Sequence, residues 1–306
     1  MFESSYLIDP GAHTLRLYDP KTRKILSMRS CRLSKQPQII GNDALQAAWE
    51  KGDHLTYPFN KEKITADPTT LLKSFFVQVP PDRYLLVPGA SILSFGNPDE
   101  KTQDDWKQYL KIVSLAKVKM IPAFEPDDNA PFFHIHAGAS LVHFVMGSDH
   151  QVLDYQALEL GGLAMDNAIS KEITRVFQVL ISSEDACALK EAVSKALKEN
   201  RNPVLSVVGL NRRNEYVQIR FRAADLWGCM EPLILEIARQ AASFVCRKGP
   251  ELMEQVLASG VQLSGGFAQC YNFVPLLERS LHCRITLVED PENWLIHHLV
   301  QSKKGF

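Results

Sequence analysis

The feature that most constrains this chain is a pattern that occurs twice. Residues 6–18 (YLIDPGAHTLRLY) read as two short strands around a turn at Gly11. Asp19, Pro20 and Lys21 then make a turn, and a third strand runs into Ile25 and Leu26. Residues 132–146 repeat the motif around Ala137, Gly138 and Ala139. Gly147, Ser148 and Asp149 turn the chain, and residues 151–158 pair back. A Pro- and Asp-rich stretch, 123–131, separates the two openings and is the best boundary in the chain. One duplication on this scale describes two lobes and not a short-period solenoid. We therefore expect a first lobe over 1–130, with a small subdomain at about 30–75, and a second over 131–306, with a small subdomain at about 175–225.

Between the strand motifs lie helical stretches. Helices are expected at 43–50, with Asp43 as N-cap, and at 67–78, 104–116, 164–181, 184–199 and 223–247. Further helices are expected at 250–258, with Pro250 in the first turn, and at 270–281. Residues 83–88 read as a buried strand. Residues 204–209 and 215–221 read as a hairpin around the polar turn 211–214, and 261–263 and 284–288 as short strands. Strands alternating with helices, with glycines at strand ends, make the fold class α/β.

Composition excludes several functions. Lys and Arg number 34 against 35 Asp and Glu, a balance unlike the basic excess of a nucleic-acid binder. The six cysteines stand singly with no CxxC pair, which fits free thiols in a reducing compartment and no zinc ribbon. No basic and apolar leader precedes the first strand, and no apolar run reaches a membrane span, so a cytoplasmic protein is expected.

Several segments then fall into a known order. Residues 40–45 (IGNDAL), Pro58 with Phe59, and 64–67 (ITAD) form one series, and 86–90 (LVPGA) a second. Gly161 and Gly162 with 166–169 (DNAI) form a third. The last is 260–268 (GVQLSGGFA), followed by Leu276, Leu277 and 288–291 (VEDP). In this order the chain resembles the MreB family of bacterial actin-like proteins, within the actin and sugar-kinase-like ATPases. The resemblance runs from about residue 6 to about residue 295. It implies two lobes, each a mixed sheet flanked by helices, with ATP and Mg2+ between them. The implied nucleotide residues are Asp9, Gly11 and Thr14 of the first hairpin, Gly138 of the second, Gly161, Gly162 and Lys190, and Gly265 and Gly266 in the adenosine motif, 261–268. Asp9 would orient Mg2+ through water, and Glu125, which precedes Pro126, would be catalytic.

The same residues carry departures. Ala12 replaces a hydroxyl, Pro10 removes a donor, and the first loop is one residue shorter than the family's. In the second hairpin His134 stands where the family has a metal-orienting Asp, and His136 and Ala137 replace glycines. Imidazole suits a hard cation poorly, and a side chain at a glycine keeps phosphate from the backbone. His134 and His136 share a strand face, whereas His143 is expected on the other, so no third metal ligand is expected. The helix behind Glu125 reads as deleted, and Phe267 replaces a third glycine. Phe75 and Phe76 read as core, so membrane contact is at most indirect.

The expected function is an actin-like cytoskeletal or cell-shape protein with a degenerate nucleotide site and a weak or lost ATPase. It would act by self-association or by binding another actin-like filament protein. An active ATP-dependent filament protein is the alternative, and a kinase-like enzyme of the same superfamily a minor one.

Overall fold

The computed structural model describes residues 5–78, 89–95, 99–112, 117–124 and 129–302. The chain divides into two compact units, 1–127 with 295–306, and 128–294. The C-terminal helix α9 (Trp294–Ser302) thus falls almost wholly in the first unit, whereas the sequence reading had assigned it to the second.

In the first unit β1 (Ser5–Pro10), β2 (Thr14–Asp19) and β3 (Lys24–Arg29) form an antiparallel meander. β4 (Arg32–Leu33) pairs with β5 (Leu55–Thr56) across α1 (Gly41–Lys51), and β6 (Phe59–Asn60) pairs with β7 (Lys63–Ile64). After α2 (Thr69–Gln78) comes β8 (Gly89–Ser94), which lies parallel to β1. Then α3 (Glu100–Ile112) leads to β9 (Lys117–Pro122), parallel to β8. The sheet order is β3-β2-β1-β8-β9. One face packs Tyr6, Ile8, Leu15, Leu17 and Ile92 on Phe59, Leu71, Phe75, Trp106 and Leu110. Phe59 stacks on Trp106 at 5.5 Å between centroids, and Phe76 meets Tyr6 edge-on at 5.4 Å.

The second unit repeats that topology. β10 (Phe132–Ala137), β11 (Val142–Ser148) and β12 (Gln151–Leu158) form the meander. α4 (Gly162–Phe177), β13 (Val179–Leu180), α5 (Ser183–Lys198), β14 (Val204–Asn211) and β15 (Tyr216–Arg222) follow. Next come α6 (Ala223–Val245), α7 (Pro250–Ser259), β16 (Val261–Ser264), α8 (Phe273–Leu281) and β17 (Ile285–Leu287). The sheet order is β12-β11-β10-β16-β17, with β16 parallel to β10 and β17 parallel to β16. Phe133, Ile135 and Ala137 of β10 and Val142, Phe144 and Met146 of β11 face a core completed by Met165, Ile169, Met230, Ile234, Ile237 and Phe244. The alternate positions, His134, His136 and His143, therefore lie on the opposite face.

Several expectations shift by a few residues. α1 starts at Gly41, whose φ of 62° only glycine adopts cheaply, so Asp43 sits in the first turn and not at the cap. The helix expected over 164–181 stops at Phe177. Gln178 turns left-handed and donates its N–H to Thr174 O, which frees Val179 and Leu180 for β13. α8 begins at Phe273 because a 3-10 turn at Gly266–Gln269 and a left-handed Asn272 precede it. The strand expected at 83–88 lies outside the described residues, as do Pro126 and the segment 79–82.

Candidate functional site

Each unit presents a hairpin tip where the resemblance places a phosphate loop. In the first unit β1 and β2 register Asp9 opposite Arg16. Arg16 Nη1 lies 3.4 Å from Asp9 Oδ2, with side chains 13% and 18% exposed. Burial pushes the Asp9 carboxyl above its ordinary range, against the pull of Arg16. Gly11 cannot carry a side chain, because a Cβ would stand 2.5 Å from Thr14 O. Ser30 straps the loop from β3's end: its Oγ donates to Gly11 O at 2.6 Å and its N–H to His13 O at 3.0 Å. His13 Nδ1 and Thr14 Oγ1 share a hydrogen bond of 2.9 Å.

In the second unit Ser264 at the end of β16 sits between two imidazoles. Its Oγ is 2.7 Å from His134 Nε2 and 2.9 Å from His136 Nδ1. A hydroxyl can donate to one ring and accept from the other. His134 is 1% exposed and stacks on Trp294 at 4.4 Å between centroids. Its imidazole is thus buried at the position to which the resemblance assigns a carboxylate. His136 Nε2 lies 3.6 Å from the place a Gly138 Cβ would take, so the ring covers the tip of the hairpin.

His143 corrects the sequence reading. The register pairs it directly with His136, so it shares the face of His134 and His136. The His136 and His143 ring centroids are 6.1 Å apart. His143 Nδ1 is instead bonded to the Tyr155 hydroxyl at 2.9 Å, and burial lowers its pKa to about 3. Among the described residues no group of three His, Cys, Asp or Glu side chains could hold a metal ion.

The glycine pairs serve close packing. A Cβ on Gly161 would meet Ala139 O at 2.5 Å. Gly265, at φ 92°, would meet Ala137 O at 2.2 Å. Gly265 donates to Pro291 O at 2.7 Å, and Gly266 remains exposed beside the Glu292 side chain. The first amides of α4 are already satisfied, with Gly162 N–H to Gly138 O at 3.1 Å and Leu163 N–H to Ala139 O at 2.8 Å. Phe267 turns inward against Phe273 at 5.2 Å.

Lys190 reaches from α5 to α4. Its Nζ lies 2.8 Å from Asp166 Oδ1 and 3.4 Å from Gly162 O, with side chains 15% and 5% exposed for Lys190 and Asp166. Burial works to lower the Lys190 pKa, but the Asp166 carboxylate overrides it and holds it above the ordinary value. Burial raises Asp166 in turn.

The structure thus brings Gly138, Gly161, Gly162, Lys190, Gly265 and Gly266 into one region of the second unit. Asp9, Gly11 and Thr14 belong to the first unit, and Glu125 lies outside the described residues. A hydrated Mg2+ fits neither tip in the family manner, since Asp9 faces a guanidinium and His134 is a buried imidazole. Sequence reasoning missed Arg16, Ser264, Trp294 and Asp166 as partners. Arg16 was within reach, because centring the first turn between Ala12 and His13 places it opposite Asp9.

The family model described as MreB/Mbl protein matches residues 132–304. No curated protein matches by sequence. Among solved structures, MreB5 of Spiroplasma citri bound to ADP gives a TM-score of 0.86 at 14% identity, covering 99% of this chain and 97% of that one. The same protein bound to AMPPNP gives 0.86 at 13%, with the same coverage. A MamK double helical filament gives 0.76 at 15%, covering 97% and 99%. At these identities the structures establish the fold, an actin-like one. No helix among the described residues is long and apolar enough to cross a membrane. The family match, which spans more than half of the chain, places this protein in the MreB/Mbl family.

Proposed function

We propose that this chain is an actin-like filament subunit or filament-binding partner of the MreB type whose nucleotide site has lost its Mg2+-dependent chemistry. One observation carries the reading. His134 stands where the family's metal-orienting carboxylate is expected, and it is buried between Ser264 and Trp294. The Asp9–Arg16 pair supports it, because a built-in cation already neutralises the remaining carboxylate. His136 over Gly138 supports it further by occupying space that a phosphate would need.

Self-association is the mode of action that family membership favours, with another actin-like filament protein as the alternative partner. A role in cell shape follows from the same kinship. Titration with fluorescent ATP, with and without Mg2+, tests the site. The expected result is weak binding indifferent to Mg2+ and hydrolysis near background. Micromolar, Mg2+-dependent binding with brisk hydrolysis overturns it.

The second reading is an active ATP-dependent filament protein. The retained Gly265–Gly266 turn and Gly161–Gly162 favour it, as do the nucleotides in the MreB5 structures. Electron microscopy of purified protein with and without ATP separates the two. Filaments that form only with ATP favour the second.

A further inference from the structure

Of the six cysteines Cys246 is the exposed one; Cys31, Cys187 and Cys270 are buried, and Cys229 and Cys283 half-buried. Cys246 follows α6 and opens a 3-10 turn, Cys246–Lys248. Gly249, at φ 95°, then leads into α7. The turn brings a second sulfur alongside. Cys246 Sγ lies 3.6 Å from Met253 Sδ, with the thiol donating to the thioether. Both ends of the pair are fixed. Met253 packs on the core of the second unit, and its N–H donates to Gly249 O at 3.2 Å. The Cys246 N–H donates to Phe244 O. The neighbouring cation is engaged elsewhere. Arg247 Nη2 donates to Gln156 Oε1, and its guanidinium lies 5.1 Å from the Phe244 ring centroid.

The same unit holds another thiol–thioether contact, which shows what exposure adds. Cys270 Sγ lies 3.8 Å from Met165 Sδ, but both residues are buried, and burial pushes the Cys270 thiol up to about 11. A buried thiol that keeps its proton is packing, since the thiolate is the metal ligand. Cys246 can exchange its proton with water and be reached by an ion. Thiolate and thioether are soft donors, which select Cu(I) over hard cations such as Mg2+. Zn2+ favours four ligands in a tetrahedron, and this pair supplies two. With thiolate–metal bonds of about 2.3 Å, sulfurs 3.6 Å apart subtend about 100° at the ion. Such a bent pair leaves the solvent side to a third ligand, water or an external thiol.

We propose that Cys246 and Met253 form a surface site for Cu(I). Binding replaces the thiol proton: Cys246–SH and Cu+ give Cys246–S–Cu and H+. Met253 Sδ adds a lone pair, and no oxidation state changes. The ion sits where the S–H group now points, between two sulfurs already in place. It ties the end of α6 to the first turns of α7. The site uses none of the residues of the nucleotide region, so it stands or falls apart from the filament reading.

The test is anaerobic titration of the full chain with Cu(I) held by the colorimetric chelator ferrozine. Wild type takes one ion per chain and releases one proton per ion, and X-ray absorption finds two sulfurs on the metal. While the thiol is protonated, affinity rises about tenfold for each pH unit, as the loss of one proton requires. Cys246→Ser abolishes the transfer. Met253→Leu keeps the bulk of the side chain and loses the thioether. It weakens binding by about tenfold or more, the least that removing even a supporting group costs a metal site. Cys283→Ser, at a half-buried thiol, leaves binding unchanged. Circular dichroism confirms that each variant is folded. If wild type takes no Cu(I) from the chelator, or Cys246→Ser takes it equally well, the site is refuted. If Met253→Leu binds as tightly as wild type, Cys246 acts as a single thiol and the paired site is refuted.

Discussion

The two hairpins stand at the same place in two sheets of the same strand order, yet their polar centres are built differently. In the first unit the centre is a charged pair, Asp9 and Arg16, made by neighbouring strands seven residues apart. In the second it is two imidazoles on one hydroxyl, and Ser264 lies 130 residues from His134. A carboxylate beside a guanidinium is a local arrangement that any hairpin can make. The imidazole–hydroxyl bridge exists only once β16 has docked on β10. The family topology therefore sets where the polar groups stand, and each unit has satisfied them by its own means.

The largest test of that difference is the buried ion pair behind the second hairpin. Lys190→Met leaves the Asp166 carboxylate buried and unpaired, and should cost about 3–5 kcal/mol in urea unfolding. The double variant Lys190→Met/Asp166→Leu should recover most of the loss. If the single variant is as stable as wild type, the pair does not hold α4 to α5. Next, Ser264→Ala strips the shared partner from two ring nitrogens and should cost about 1–3 kcal/mol. Asp9→Asn keeps an acceptor for Arg16 and removes the burial penalty on the charge, so it should change stability by less than about 1 kcal/mol. Hydrogen exchange read separately over β1–β3 and β10–β12 checks each substitution in its own unit. A larger loss from Asp9→Asn than from Ser264→Ala would invert the comparison.

Much of this was legible before any coordinates, and the reasons are physical. The strand motifs were readable because alternation and turn residues are local signals, as with Gly11 and with the Gly147–Asp149 turn. Glycine spacing was readable because Gly161 and Gly265 sit where a Cβ would strike a carbonyl. The face of His143 was misread, although a turn centred between Ala139 and Ser140 pairs His136 with His143. β8 was missed because GASILS is buried at all six positions and so shows no alternation. Lys190 was matched to a nucleotide contact, and its bond to Asp166 is a tertiary fact, set by how α5 lies on α4. Trp294 over His134 had no sequence signal, because stacking between residues so far apart depends on the completed sheet.

Acid gives the smallest test, and it should act on the two units with opposite sign. His143 is held neutral by burial, with a folded pKa of about 3 against an ordinary 6.5. Between those values the unfolded chain binds a proton that the folded chain refuses. Its contribution is therefore complete above pH 6.5 and is lost as pH falls, by at most about 1.4 kcal/mol per pH unit. Asp9 has a folded pKa raised by burial above 3.8. Its folded form takes up a proton first, so acidification relieves the first hairpin, and Asp166 acts in that direction within the second unit. The His143 window opens first. From pH 6.5 to 5.5, hydrogen-exchange protection corrected for intrinsic rate should fall over β10–β12 and hold or rise over β1–β3. His143→Phe should level the response of the second sheet while leaving the first unchanged. Equal losses in both sheets would mean that acid acts on the chain as a whole, and the contrast between an ion-paired and an imidazole–hydroxyl hairpin centre would have no energetic consequence.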